Sequence, residues 1–373
     1  LAEVTGPTGE EAASMPVPAG DVDVTDAFAV RDNGRFMGRV EGLPLGRTRL
    51  TATLPSGHGA HIDIDNHPRG GPVFSGPQIQ PWTCLDGAID DQCNRETTWS
   101  LHYMPTSGTG FRAYDPDNPP NDVATTTTTE GEEVPYIVRR EEGAMNRDSY
   151  AIAVLFDPEA PDYEPWAPQR GSNGRMVIVH GQSCDTAYSQ VEALDVMSDS
   201  YLSRGFAVAS HVLNHSGHSC NVVVQAEAML MMKEHFVERY GELRWTIGTG
   251  CSGGALAQYW TANAYPGGIY EGITASCSFP DAGSSANQYV DYDLLREYFE
   301  SEEALSAGIV WTPDKQEAVY GHPNAINAVT FTEVIPSSGD PSRRQALAQV
   351  QGGLGGQRCP GLPNDQLYDA ESN

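Results

Sequence analysis

The sequence predicts an α/β fold in which a mostly parallel sheet is covered by helices on both faces. Three observations support this prediction. Near-continuous apolar runs, such as R-M-V-I-V-H-G at 175–181, are typical of parallel strands that are buried on both faces. Segments of helical periodicity alternate with these runs, and the longest covers 222–240. A glycine-rich turn at 248–254 separates one such strand from one such helix.

Composition limits the classes of function that the chain can have. Its 373 residues are enough for one large domain with an added module, or for two domains. The 22 Lys and Arg residues against 50 Asp and Glu residues give a net charge of −28, which argues against nucleic acid and anionic membranes as partners. No apolar stretch approaches the ~20 residues that a membrane span needs.

The seven cysteines predict disulfides rather than a metal site, because the chain has no C-x-x-C pair and its histidines do not lie at zinc spacing. We therefore expect a secreted protein, extracellular or periplasmic, with no metal and no cofactor. Cys184 and Cys220 could join the loops that follow two of the strands. The odd count leaves one cysteine, which we take to be Cys359, without a partner in this chain.

The first half of the chain predicts two regions before the main sheet. Residues 1–75 predict a small all-β, sandwich-like module, since short alternating runs are separated by Gly, Pro and Asn-Gly turns. Asn33-Gly34 is the strongest hairpin signal among them. Residues 76–133 predict an irregular strap in which Cys84 and Cys93 bracket a short polar loop.

The core, at 134–373, begins with a strand pair and continues with alternating strands and helices, among which we expect a helix over Gln190–Leu202. The glycine-rich turn follows the fifth strand. An antiparallel pair, then parallel strands, with such a turn after the fifth is the order of the α/β-hydrolase fold. Residues 282–335 interrupt the pattern and would form a cap over the site. The end of the chain has no seventh or eighth strand, so we expect an incomplete sheet.

The stretch Arg244–Gly254, R-W-T-I-G-T-G-C-S-G-G, carries the predicted chemistry. It contains G-x-S-x-G, the nucleophile elbow, between the strand and the helix that this motif requires. The sharp turn holds a serine hydroxyl away from the backbone and leaves no room for neighbouring side chains. We predict Ser252 as the nucleophile and the backbone N–H of Gly253 as one oxyanion donor. The alternative is a glycine-rich turn with an incidental serine.

A second oxyanion donor is expected in H-G-Q-S-C at 180–184, directly after the third strand. We assign it to the N–H of Gln182, with Ser183 as the alternative. His180 lies on the oxyanion side of the sheet, and we expect it to fix this loop rather than to act as the base. His180, Ser183 and Asp281 are the residues that we place around the substrate.

The acid and the base of the expected triad are not evident in this chain. In this fold they follow the nucleophile in the order Asp/Glu, then His, and His322 is the only histidine after Ser252. One alternative is a triad of Ser252, Asp281 and His322. We favour a C-terminal segment beyond this chain, or a second chain, as the source of the acid and the histidine. Asp291 and Asp293 are better explained as helix caps.

Two further features lie near the predicted site. His215 and His218 follow the fourth strand and could approach the cleft, although polar loop residues are the simpler interpretation. Cys251 adjoins the nucleophile. A disulfide from Cys251, either to Cys277 on the next strand or to a cysteine beside the catalytic histidine, would stiffen the turn.

Several motifs resemble a largely uncharacterised family of secreted bacterial α/β-hydrolases, distantly related to tannase/feruloyl esterases and polyhydroxyalkanoate depolymerases. They are T-I-G-T-G-C-S-G-G-A-L, C-S-F-P-D, L-S-R-G-F-A-V-A-S and G-G-P-V-F-S-G-P-Q-I-Q-P-W-T-C. The resemblance covers nearly the whole chain. It implies esterase chemistry, and it implies that the remaining strands and triad partners lie beyond Asn373. In tannase-type enzymes a disulfide joins the cysteine beside the serine to one beside the histidine. Cys251 matches the first half of that pattern, and the second half has no match here.

The function predicted from the sequence is a secreted serine hydrolase that cleaves carboxylic esters, of a polyester or of a plant phenolic. An amidase or peptidase with the same machinery is the first alternative. A hydrolase-like binding protein without a working triad is the second.

Overall fold

The computed structural model describes residues 1–6, 11–12, 14–78, 80–278, 295, 298–299 and 301–320. The strands in chain order are β1 Ala2–Val4, β2 Pro18–Ala19, β3 Val22–Asp23, β4 Phe28–Val30, β5 Phe36–Gly38, β6 Gly46–Thr53, β7 Gly59–Asn66, β8 Thr98–Tyr103, β9 Arg112–Ala113, β10 Thr125–Thr127, β11 Glu133–Pro135, β12 Ile137–Met145, β13 Asp148–Leu155, β14 Arg175–Val179, β15 Ala207–His211, β16 Trp245–Cys251 and β17 Gly272–Ser276. The α-helices are α1 Asp199–Leu202, α2 Val222–Tyr240, α3 Gly253–Ala264, α4 Glu302–Ser306 and α5 Pro313–Tyr320. Two short 3-10 helices cover Thr25–Ala27 and Val212–Asn214.

The main sheet has the predicted strand order. Among the described residues its eight strands lie in the order β17-β16-β14-β15-β13-β12-β8-β9. β12 and β13 form the leading antiparallel pair, whereas β15, β14, β16 and β17 are parallel to one another. Counted from β12, the strand before the glycine-rich turn is the fifth. The fold is therefore that of an α/β-hydrolase, as the sequence predicts.

Apolar side chains cover both faces of this sheet. On one face Met229, Met232 and Phe236 of α2 pack with Ile152 and Ile178 of the strands, and all five are almost completely buried. A second cluster joins Val138 of β12 and Val208 of β15 to Leu202 of α1. This burial on two faces explains why the strands read as apolar runs rather than as alternating ones.

Helix α2 matches its predicted bounds. Its buried residues Met229, Met232, Phe236 and Tyr240 recur at helical spacing. The side chain of Asn221 accepts hydrogen bonds from two backbone N–H groups of the first turn, and the helix ends at a glycine with a φ of 105°. In the described part of the chain, neither α2 nor any other helix has the length and hydrophobicity to cross a membrane.

A buried carboxylate joins the sheet to α2. Glu141 of β12 has no exposed surface. Its Oε1 accepts hydrogen bonds from His235 Nε2 at 2.6 Å and from the Tyr150 hydroxyl at 2.7 Å. Its Oε2 accepts from Trp99 Nε1 at 3.2 Å and, at closer range, from the Tyr240 hydroxyl. Burial alone would raise the pKa of Glu141, but these donors, His235 first, lower it to about 2.

Two parts of the chain differ from expectation. The predicted helix over Gln190–Leu202 is wrong for most of its length, because only Asp199–Leu202 is helical. The Gln190 side chain instead accepts a hydrogen bond from Leu85 N and donates one to Cys93 O, which holds the segment against the strap. The strap, expected to be irregular, contributes β8 to the main sheet. In the sequence, Trp99, Leu101 and Tyr103 alternate with polar residues, which is typical of a strand.

The strands before residue 75 form two small sheets. One has the order β1-β5-β4 and the other the order β3-β2-β6-β7. Phe28 and Phe36 from the first pack in one cluster with Leu50 and Ala52 from the second. β4 and β5 are antiparallel neighbours joined through Asn33-Gly34, and Gly34 has a φ of 78°. The predicted hairpin at that turn is therefore confirmed.

Candidate active site

Ser252 occupies the junction between β16 and α3. Its φ of 56° and ψ of −113° lie in a region that residues with side chains rarely adopt. Its backbone N–H donates to Ser276 O at 3.1 Å, and its carbonyl accepts from Leu256 N at 3.0 Å as the helix begins. The side chain is partly exposed. This conformation at the end of the fifth strand is the one that a nucleophile elbow requires.

The glycines beside Ser252 let another loop approach its backbone. A Cβ atom on Gly253 would lie 1.6 Å from the carbonyl oxygen of Ser183, and one on Gly254 would lie 2.2 Å from that of Gly181. Gly181 O also accepts a hydrogen bond from Cys251 N at 2.9 Å. Alanine at either glycine would therefore push the loop at 180–184 away from the elbow.

This arrangement brings together the backbone N–H groups predicted to bind an oxyanion. Those of Gly253, Gln182 and Ser183 have no hydrogen-bond acceptor among the described residues. Gln182 and Ser183 are exposed, and Ser183 has a φ of 69°. Gly253 N–H also lies at the positive end of the α3 dipole. The loop after the third strand and the start of α3 thus present unpaired donors on adjoining segments, as an oxyanion hole does.

The loop that carries Gln182, which we call the oxyanion loop (residues 180–184), is bonded to the loop after β15. Ser216 donates to His180 O through both its N–H, at 3.0 Å, and its Oγ, at 3.1 Å. The Cys184–Cys220 disulfide joins the same two loops covalently. These links hold the oxyanion loop against the loop that follows β15.

The strap supports the continuation of this loop from outside. Thr83 N donates to Tyr188 O at 3.2 Å, and Gln190 N donates to Thr83 O at 2.8 Å. The Cys84–Cys93 disulfide closes this part of the strap into a compact loop. The oxyanion loop is therefore backed by two other segments of the chain.

His180 is completely buried, with both ring nitrogens engaged inside the protein. Its Nδ1 lies 3.0 Å from Asn214 O, and its Nε2 forms a short hydrogen bond with the Tyr270 hydroxyl. Burial lowers the pKa of His180 to about 4, so the ring is neutral at neutral pH. His180 therefore positions the oxyanion loop, which agrees with the structural role expected for it. The placement beside the substrate has to be corrected, because no atom of the ring is exposed.

The other two histidines near the loop have separate surroundings. The His215 ring packs on Gly181, where a Cβ would lie 1.8 Å from its Nε2. Burial and the neighbouring His218 lower the pKa of His215. His218 Nε2 lies 3.1 Å from Oδ2 of the buried Asp148. Among the described residues, no imidazole forms a hydrogen bond with the Ser252 hydroxyl.

Cys251 forms a disulfide with Cys277, the residue after β17. Of the two partners considered from the sequence, the structure therefore selects the cysteine on the neighbouring strand rather than one beside a histidine. This bond ties the residue before Ser252 to the end of β17. The carbonyl of Ser276, which accepts from Ser252 N, lies directly beside it.

Several residues singled out in the sequence lie outside the described residues, and the roles considered for them stay predictions. They are Asp281, Asp291, Asp293, His322 and Cys359. Sequence reasoning missed Tyr270, which holds His180, and the Ser276 carbonyl, which holds Ser252. Neither has a local signal, because each acts through a partner that is distant in the sequence.

The model of the tannase-like family of unknown function (DUF6351) matches residues 1–373. No curated protein matches.

Solved structures that are similar to the chain include a CocE/NonD family hydrolase from Staphylococcus aureus, with 10% identity over 43% of this chain and 32% of that chain, at a TM-score of 0.23. Oligopeptidase B from Leishmania major has 10% identity over 81% of this chain and 42% of that chain, at a TM-score of 0.23. Candida antarctica lipase A has 14% identity over 63% of this chain and 53% of that chain, at a TM-score of 0.24. The chain thus spans between 32% and 53% of the length of these three proteins.

Proposed function

We propose that this chain, which belongs to the tannase-like family of unknown function, carries the nucleophile and the oxyanion hole of a secreted serine esterase. The observation that carries the proposal is the backbone of Ser252, held at φ 56° and ψ −113° between β16 and α3. A residue with a side chain keeps so unfavourable a conformation only where its surroundings impose it, and such residues concentrate at functional sites.

The chemistry follows from the groups around Ser252. Its Oγ attacks the ester carbonyl, and the charge that develops on the carbonyl oxygen is stabilised by the N–H groups of Gly253 and Gln182. Because these donors belong to fixed backbone, they need no reorganisation during the reaction. The alcohol leaves with a proton, and an acyl group remains on Ser252. Water then attacks this acyl-enzyme, releases the acid and returns the proton to Ser252.

Proton transfer in both steps requires an imidazole, which must take the proton from Ser252 and deliver it to the leaving alcohol. The buried His180 and the Asp148-paired His218 are engaged elsewhere, and His215, whose ring packs on Gly181, forms no hydrogen bond with Ser252. The proposal therefore assigns the histidine and its carboxylate to a C-terminal segment or to a second chain. Three disulfides suit a protein that folds in an oxidising compartment, which supports secretion.

The experiment is Ser252→Ala in the natural full-length protein, with p-nitrophenyl acetate as substrate. We expect hydrolysis to fall to background, together with loss of labelling by a fluorophosphonate probe. Ser107→Ala, at an exposed serine in the loop after β8, is the matched control and should change neither readout. Unchanged turnover or labelling in Ser252→Ala would refute the proposal, and a wild-type protein that the probe does not label would indicate a binding protein instead.

Substrate class is tested with matched ester and amide substrates that share one acyl group. An esterase should cleave the ester and leave the amide at the background rate, because expulsion of an amine requires a general acid placed to protonate its nitrogen. Cleavage of the amide well above background would favour the amidase or peptidase alternative.

A further inference from the structure

Strand β7 lies at one end of its sheet, and among the described residues it pairs with β6 alone. Two backbone hydrogen bonds fix the phase of this pairing. Arg49 O accepts from Gly20 N on the side of β2, whereas Leu54 N donates to His58 O on the side of β7. Because consecutive residues of a strand bond to opposite neighbours, the even-numbered residues of β6 and β7 bond to each other. The odd-numbered residues of β7 therefore direct their N–H and C=O groups away from β6.

This outer edge of β7, the side that faces away from β6, is a row of free backbone donors and acceptors. The groups that point outward belong to Gly59, His61, Asp63 and Asp65, and they form no hydrogen bond with any described residue. Residues 59–63 are all exposed. An exposed edge of this kind is a template for pairing with another strand.

One face of β7 is apolar up to the edge. It carries Ala60, Ile62 and Ile64, and opposite them on β6 Leu50 and Ala52 are buried in the core of the N-terminal strands. Ile62 pairs directly with Leu50, yet it is 59% exposed and lines a cavity of about 1080 Å³ between this sheet and α2. A further strand beside β7 would cover Ile62 and remove apolar surface from water, which is favourable.

The other face of β6 and β7 is charged, but its charges cancel. Arg47 pairs with Asp65 at 3.0 Å, and Arg49 pairs with Asp63 at 2.7 Å. The whole chain carries a net charge of −28, whereas this face has no excess of carboxylates. Repulsion between charges elsewhere is screened beyond ~8 Å at physiological ionic strength. His61 lies on the same face, and its ring can donate a hydrogen bond to a carboxylate.

We propose that this edge binds a second copy of the chain, with β7 antiparallel to β7 of that copy across a two-fold axis at Ile62. Outward-pointing residues must lie opposite one another, and only an axis at Ile62 or at Asp63 lets nearly all eight residues of the strand pair. An axis at Asp63 would set two carboxylates directly against each other, which is unfavourable. The axis at Ile62 instead sets the two isoleucines side by side. It also places each His61 opposite Asp63 of the second copy.

The first test is sedimentation equilibrium of the natural protein over a range of concentrations. One strand pair is a small interface, so we expect a reversible dimer with a Kd of about 10 to 100 µM. Ile62→Lys would bring two ammonium groups together at the axis and should raise the Kd at least about tenfold. The matched control is Val22→Lys, at a valine that is 55% exposed on β3 at the opposite end of the same sheet. It should leave the Kd unchanged.

The second test addresses the register. At the proposed axis the pair does not share hydrogen bonds, so its Cα atoms should lie about 4.5 Å apart, a distance that a disulfide can bridge. Ile62→Cys should therefore form a covalent dimer on mild oxidation, as read on a non-reducing gel. Ala60→Cys is the control, because residue 60 would face Ile64 of the second copy and should not cross-link. Since both variants keep Cys359, the control also shows any cross-linking through that residue.

Three results would overturn the proposal. They are a natural protein that stays monomeric at concentrations several times above the expected Kd, a dimer that Ile62→Lys leaves intact, and equal cross-linking of Ile62→Cys and Ala60→Cys. Because both positions are exposed, the variants should unfold at the wild-type temperature, which thermal denaturation checks. Esterase activity is not a readout in either test, so failure of the dimer and failure of the proposed catalytic site remain distinguishable.

Discussion

The elbow and the Glu141 cluster are held in place by different interactions. At the elbow, backbone meets backbone: Gly253 and Gly254 let the oxyanion loop approach so closely that no side chain fits between them. Around Glu141, long side chains from β8, β13 and α2 converge on one buried charge. The comparison shows that a site needing free N–H donors is built from backbone, since side chains there would occupy the donors or the space of the substrate.

Of the changes that test this comparison, the largest effect should come from adding one methyl group at the elbow. Gly253→Ala places a Cβ 1.6 Å from Ser183 O, so the oxyanion loop must move. Because loss of one oxyanion donor costs about 100-fold or more, we expect kcat for p-nitrophenyl acetate to fall by at least about 100-fold. Gly272→Ala, in β17, adds the same methyl group where nothing lies within 4 Å and should leave kcat unchanged. Full activity in Gly253→Ala would mean that the close approach is not required.

The contribution of the Glu141 cluster to the free energy of unfolding should depend on pH. The pKa of Glu141 falls from 4.5 to about 2 on folding, so its ionised form favours the folded state. That contribution, about 3 kcal/mol, is complete above pH 4.5 and is lost as the pH falls toward 2. Glu141→Gln should therefore lower the free energy of unfolding at pH 7 by roughly this amount.

Chemical denaturation of the Glu141→Gln variant between pH 7 and pH 2 checks this, since the wild-type and variant curves should converge at low pH. The control is Glu142→Gln on the same strand, because that carboxylate pairs with Arg140 at the surface. Parallel curves for wild type and Glu141→Gln over the whole range would contradict the assignment.

The smallest effect should come from a hydroxyl behind the oxyanion loop. Tyr270→Phe removes the hydrogen bond to His180 and should cost about 1 kcal/mol of stability, with a kcat several-fold lower and an unchanged KM. Tyr163→Phe deletes a buried hydroxyl that donates to Leu155 O, away from the loop. It should cost similar stability and leave kcat intact. Equal kcat values for Tyr270→Phe and Tyr163→Phe would show that the hydrogen bond to His180 does not affect the oxyanion loop.

The elbow and the Glu141 cluster also differ in how well they can be predicted from the sequence. The elbow obeys a local rule, so Ser252 and its glycines could be identified from five consecutive residues within a strand and a helix. The Glu141 cluster depends on residues between 99 and 240, and no local pattern joins them. At Gln190 a local pattern is misleading. The sequence there has helical periodicity, but hydrogen bonds from the Gln190 side chain to the strap hold the segment in a non-helical conformation. The acid and the base stay predictions, since among the described residues no imidazole forms a hydrogen bond with the Ser252 hydroxyl.

The positions of the three disulfides along the chain also indicate the order in which they could form. Each cysteine in a bridge is joined to the next one along the chain: Cys84 to Cys93, Cys184 to Cys220, and Cys251 to Cys277. A chain that is oxidised as it emerges, from its first residue onward, would form each of these bonds before a competing thiol became available. If the protein is secreted, as we propose, the Cys184–Cys220 bridge would close the loop at 180–184 before Ser252 reached the oxidising compartment, and correct pairing would need no later reshuffling.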